Sequence, residues 1–225
     1  MQSPLRETID FKTREQAAYE TIRRDIIQGR WGPDESLVIS TIAGELGVSR
    51  ITVSNAIKRL AGEGFVGIAP HKEAVVARLD PEGVREIYLM RAELEALAGR
   101  EAARRITPEA LAGAHRLNAV VRERRAGLPD AIQALRAADR AFHRYVRSTA
   151  AMPRLDELLE NLADQCEYYR SRLLDPTRLA APDPQAHEVL LDALAAHDGE
   201  AAARVMRDHI TAGMRTVLAA LEYRR

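Results

Sequence analysis

Residues 40–66, STIAGELGVSRITVSNAIKRLAGEGFV, decide the reading of the N-terminal third of this chain. Ile39, Ile42, Ala43 and Leu46 stand at i, i+3, i+4 and i+7, which is one apolar helix face. Gly47 breaks that helix and Val48 supplies an apolar plug for the turn. Ser49 is suited to N-cap a second helix whose core face is Val53, Ala56, Ile57 and Leu60, at the same spacing. Two short helices joined by a glycine turn form a helix-turn-helix, whose second helix can enter a DNA major groove. Its outward side carries Arg50, Ile51, Ser54, Asn55 and Lys58. These are two cations, two hydrogen-bonding groups and an apolar group that can meet a thymine methyl.

Working outward, Gly62 and Gly64 end the second helix. Phe65-Val66-Gly67-Ile68 and Ala74-Val75-Val76-Ala77 then read as a two-stranded hairpin with a polar tip at residues 69–73. Upstream, Ala18, Ile22, Ile26 and Ile27 mark an amphipathic helix ending at Gly29. Helix, two helices and hairpin in that order predict a winged helix-turn-helix over residues 14–78, with residues 1–13 as a mobile arm. The candidate DNA contacts are Ser40 and Thr41 on the first helix of the pair, and Ser49, Arg50, Ile51, Thr52, Ser54, Asn55 and Lys58 on the second. His71 and Lys72, in the hairpin tip, complete the set.

Composition gives no global argument for nucleic acid, because 33 basic and 33 acidic residues cancel over 225 residues. Residues 1–78 hold 11 Lys+Arg against 10 Asp+Glu, so one subunit has little charge to offer phosphates and a homodimer is expected. The 46% hydrophobic content excludes a disordered chain, and the 4% aromatic content favours small-residue helical cores. No apolar run is long enough to span a membrane and no apolar signal core is present, so a cytoplasmic protein is expected. Cys166 has no partner for an internal disulfide and reads as a small buried residue.

Asp80-Pro81 opens the second half, since proline suits a first helical turn. Helices are predicted over 81–105, 108–125, 129–150, 153–174, 185–196 and 199–222, separated by Pro- and Gly-bearing breaks. Six helices with short connections make an antiparallel all-α bundle over residues 79–225, the expected effector and dimerisation domain.

Within that bundle, Asp139 and His143 are i and i+4 on one helix and share a face. His187 and His209 each lie 11 residues from Asp198, on opposite arms of the last hairpin. A rise of 1.5 Å per residue sets both roughly 16 Å from the turn, facing each other. Three imidazoles and a carboxylate at one level suit a divalent metal. An ordinary helical Asp–His hydrogen bond and unrelated histidines fit the same spacings. His115 and His197 have no matching partner and read as solvated or capping groups. Arg91, on the first bundle helix, offers a guanidinium fork for a carboxylate, or else a solvated helix charge.

The segment GELGVSRITVSNAIKRLAGEGFV resembles the winged-helix domain of the GntR family of bacterial transcription regulators. ADRAFHRYV, residues 138–146, resembles the Asp-x-x-Phe-His signature of that family's FadR-type, FCD effector domain. His187 in QAHEVLLDAL and His209 in AAARVMRDHI match the other two signature positions. The resemblance spans residues 14–222. It implies a homodimeric, ligand-responsive regulator with a divalent metal at Asp139, His143, His187 and His209, zinc first and nickel second.

Departures from the family pattern sit in the DNA reader. Where relatives resemble S-R-T-P-V-R-E-A-L, this chain has Ser49-Arg50-Ile51-Thr52-Val53-Ser54-Asn55-Ala56-Ile57. Ser54 stands for an arginine, Asn55 for a glutamate and Glu73 for the wing glycine, so a different operator half-site is expected. Met152 stands for an asparagine and is expected to make the effector pocket more apolar. The reading is therefore a regulator that binds operator DNA and a small carboxylate effector, and is not an enzyme. The rivals are a metal-dependent enzyme, and a DNA-binding protein with only a structural metal.

Overall fold

Ser49 begins the second helix of the pair as its N-cap, its hydroxyl accepting from the Thr52 N–H at 3.1 Å. The computed structural model describes residues 14–68, 73–78, 80–126, 132–173 and 184–223. Contacts divide the chain into two compact units, residues 1–78 and 79–225.

In the first unit, α1 (Arg14–Gln28), α2 (Ile39–Leu46) and α3 (Arg50–Gly62) precede β1 (Val66–Ile68) and β2 (Ala74–Val76). Gly47 closes α2 in the left-handed conformation, φ 63°, where a Cβ would be strained. Val53, Ala56, Ile57 and Leu60 are all buried and meet Ala18, Ile22 and Ile26 of α1 in one core with Phe65 and Val76. Tyr19, rather than Ile27, completes the buried face of α1, because its hydroxyl reaches Glu63 at 2.6 Å while its ring packs inward. The strands pair antiparallel, with Val66 opposite Val76 and Ile68 opposite Ala74. The segment before α2 also joins this sheet: Leu37 N–H donates to Ala74 O at 2.8 Å and Val76 N–H to Glu35 O at 2.9 Å. The hairpin tip with His71 and Lys72, and the arm 1–13, lie outside the described residues.

The second unit contains α4 (Pro81–Arg105), α5 (Pro108–Ala126), α6 (Ile132–Thr149), α7 (Pro153–Leu173), α8 (Pro184–Ala195) and α9 (Gly199–Tyr223). Asp80, Thr107 and Asp198 cap α4, α5 and α9 through bonds to the Glu82, Ala110 and Ala201 N–H groups. The long helices α4 and α9 pack tightly at Gly99, where a Cβ would lie 3.0 Å from Met206 Cγ and 3.2 Å from Ala202 O. Around them, α5 packs on α6 and α8, and α7 packs on α4, so that α6, α8 and α9 turn one face each toward a shared interior. Leu135, Phe142, Leu190, Leu191, Leu194 and Met206 fill that interior. No helix among the described residues is long and apolar enough to cross a membrane.

Candidate functional site

Four side chains from three helices converge in the bundle: Asp139 and His143 from α6, His187 from α8 and His209 from α9. One ligand atom from each lies within 4.8 Å of all the others. His187 Nε2 stands 3.3 Å from both His143 Nε2 and Asp139 Oδ1, and His143 Nε2 stands 3.8 Å from Asp139 Oδ1. Donor atoms each about 2.1 Å from a single ion would stand roughly 3–4.2 Å apart, so the 3.3 and 3.8 Å separations suit one ion and the widest, up to 4.8 Å, would have to tighten around it.

The histidine orientations have local causes. Phe142, fully buried, stacks on the His187 ring at 4.1 Å between centroids and meets His143 edge-on at 5.4 Å. On α5, Asn118 is buried, and its amide NH2 donates to Glu188 Oε1 at 2.8 Å. Its Oδ1 is therefore the acceptor for His187 Nδ1–H at 2.9 Å, which leaves the His187 Nε2 lone pair facing the cluster.

The electrostatics favour neutral imidazoles beside an ionised carboxylate. Burial drives His143 well below its ordinary pKa and His209 down to about 4, with Asp139 opposing in each case. Burial alone would raise Asp139, but the three histidines gathered around it outweigh that and hold the carboxyl well below the usual range. Asp139 Oδ1 and His143 Nδ1 are buried without a hydrogen-bond partner. A buried carboxylate oxygen facing nitrogen lone pairs is a costly arrangement that a cation relieves. The residues present therefore fit a divalent metal.

A cavity of about 200 Å³ opens from Asp139 and His143 and is lined by Arg91, Arg136, Arg140, Arg147 and Arg170, together with Cys166 and Glu167. Arg91 is nearly buried and forks onto Glu95 Oε1, with both nitrogens at 3.3 Å. Arg147 reaches the same oxygen at 3.2 Å and also binds Asp156 and Glu160. Arg140 binds Glu160 at 2.6 Å and also Asp164. Met152 does not line this cavity; it packs against Ala98, Leu155 and Leu159, so the expected apolar contribution is absent and the wall is cationic. Cys166 is buried as expected, but it is also part of the cavity wall, which nothing in its sequence context signalled. His197 bonds the Ala103 carbonyl at 2.7 Å, and His115 is exposed.

In the first unit, a groove of about 680 Å³ runs between the start of α2, the outward face of α3 and β2. Its lining includes Ser40, Arg50, Ile51, Ser54, Asn55, Lys58 and Glu73. Arg50, Ile51 and Lys58 are exposed, Ile51 by 74%. Thr41 is exposed beside Ser40, while the Ser49 and Thr52 hydroxyls bond each other at 2.8 Å within the cap. Asn55 donates to Glu15 of α1 at 3.2 Å, a contact invisible in the local sequence. Arg59 is drawn away from the groove onto the Tyr19 ring, 3.7 Å from its centroid, and onto Gln16 and Glu63.

Comparisons with known proteins agree with these two units. Residues 14–76 match the model of the bacterial regulatory proteins of the gntR family, and residues 86–212 match the FCD domain. The chain is 25% identical to the HTH-type transcriptional repressor RspR of Escherichia coli K12 over 199 residues, 87% of this chain and 85% of that protein. It is 34% identical over 92 residues to an HTH-type transcriptional regulator of Agrobacterium vitis, a match covering 41% of this chain and 54% of that protein. In fold it is similar to the E. coli McbR/YncC structure, with a TM-score of 0.73 and 23% identity, covering 91% of this chain and 97% of that one. A winged helix-turn-helix followed by an all-helical FCD domain places the chain in the GntR family of bacterial transcription regulators.

Proposed function

We propose that this chain is a homodimeric, ligand-responsive regulator that binds a two-fold symmetric operator through α3. Its operator affinity is set by a small carboxylate held in the α4–α9 bundle at a divalent metal, zinc first and nickel second. The observation that carries the reading is the convergence of Asp139, His143, His187 and His209, of which the first two line an arginine-rich cavity. Three neutral imidazoles and one carboxylate on a divalent ion leave one net positive charge. A bound ion held by these four residues would supply an electrostatic anchor for an anion. The chain's own residues do the rest. Asn118 fixes the His187 tautomer, Phe142 holds two imidazoles in place, and Arg91, its fork taken by Glu95, adds a positive charge to the cavity wall. The DNA face supplies Arg50 and Lys58 for guanine or phosphate and Ile51 for a thymine methyl.

The direct test is metal analysis of protein purified without an affinity tag, compared with His143→Ala/His209→Ala protein. Stoichiometric metal in the parent and its loss in the double variant is the expected result. Metal that persists in the variant, or a parent that takes up none on reconstitution, removes the site.

A further inference from the structure

We propose that the effector carries two anionic groups, and that the guanidinium of Arg136 on α6 receives the second, so that the cavity selects a compact dianion over a monocarboxylate. This rests on the reading that the first group is held at the histidine–aspartate cluster.

Arg136 differs from the other cavity arginines whose contacts are described above. Arg91, Arg140 and Arg147 turn their donors onto Glu95, Asp156, Glu160 and Asp164. Arg136 makes one bond, from Nη1 to Glu167 Oε1 at 2.9 Å, while its Nε and Nη2 are buried without a partner. Those two nitrogens form one edge of the guanidinium, the fork that takes a carboxylate or phosphate through two parallel N–H···O bonds. Buried donors of this kind are costly unless something satisfies them. Burial pushes the Arg136 pKa down even though Glu167 opposes it.

Placement supplies the second half of the argument. Arg136 precedes Asp139 by three residues on the same helix, so the two side chains share a face, and both line the one cavity. Arg170 lines the same cavity, so its positive charge adds to the field around the fork. The volume of about 200 Å³ is that of roughly seven waters at ~30 Å³ each, which restricts the ligand to a compact molecule. Dicarboxylates and phosphorylated carboxylates share the required chemistry.

Calorimetric titration of the zinc-loaded full-length protein with malonate, succinate and glutarate, each against its monocarboxylate of equal carbon count, tests the idea. Phosphoglycolate and 3-phosphoglycerate form a parallel arm that separates carboxylate from phosphate as the second group. The best dianion is expected to bind at least about tenfold more tightly than its matched monoanion, equivalent to roughly 1.4 kcal/mol. In Arg136→Gln the affinity ratio should collapse toward one. In Glu167→Gln it should rise, because the competing carboxylate has gone; a purely structural Arg136–Glu167 pair would give no rise. Equal affinities for matched pairs in the parent, or a dianion preference that survives Arg136→Gln, overturns the proposal. Monoanion binding that needs the histidines but shows no dianion preference removes this inference alone. Failure of both series to bind removes the metal-anchored effector with it.

Discussion

Asn118 belongs to no recognisable motif, yet its Oδ1 decides which nitrogen of His187 faces the cluster. Partners of this kind, behind a metal-ligating histidine, contribute through ring orientation and basicity, and their loss costs about 10–100-fold in metal affinity. Asn118→Ala should therefore weaken metal binding by roughly that factor, measured by competition with a chromophoric chelator. An unchanged affinity would mean that His187 is oriented by Phe142 alone. On the DNA face, Arg50 is exposed in the groove. If it is bidentate to guanine, Arg50→Ala should cost about 1–3 kcal/mol of specific operator binding while non-specific binding changes less. Loss of equal size on every sequence would make Arg50 a phosphate contact instead. Asn55 is harder to assign, because its amide already serves Glu15. A glutamate there would face the Glu15 carboxylate, so family-like residues cannot be restored at this position one at a time.

At the scale of elements, the helix-turn-helix was legible because both of its helices obey a 3.6-residue apolar period and are bounded by Gly47, Ser49 and Gly62. The four ligand candidates were legible because helical spacing is arithmetic: i and i+4 on α6, and equal distances from the α8–α9 turn. What could not be read was anything that depends on which helix packs on which. The bridge at Ser36 needed the geometry of β2, and the arginines of α6 look like solvated charges until α7 closes over them. The same packing creates the ionic cluster around Glu160, which binds Arg140, Arg144 and Arg147. Burial alone would raise its pKa, but the Arg144 and Arg140 hydrogen bonds outweigh it and hold the carboxyl at about 2 instead of 4.5. A depressed folded-state pKa gives stability that is complete above the unfolded value and is lost as pH falls toward the folded one. Glu160→Gln should therefore cost roughly 2–3 kcal/mol at neutral pH. That difference should shrink between pH 4.5 and about 2. Urea unfolding of both proteins at pH 7 and at about pH 3 checks this, and a gap of constant size would show that the ion pairs are not its source.

At the scale of the whole molecule, one unit carries the groove along α3 and the other carries the histidine–aspartate cluster. With Arg59 committed to Tyr19 and Glu63, α3 turns Arg50 and Lys58 toward the groove, and Glu73 places an anion at its rim. So sparse a cationic face favours two copies acting together on half-sites about one helical turn apart. A ligand in the bundle can change operator affinity only by the difference in its own affinity for the free and DNA-bound states, and the coupling is reciprocal. The most direct measurement is the operator Kd of metal-loaded protein, on a site selected from a random library, with and without saturating dicarboxylate. The predicted result is a shift of about 5–150-fold that disappears in His143→Ala/His209→Ala protein. An operator Kd that is the same with and without bound ligand would contradict it.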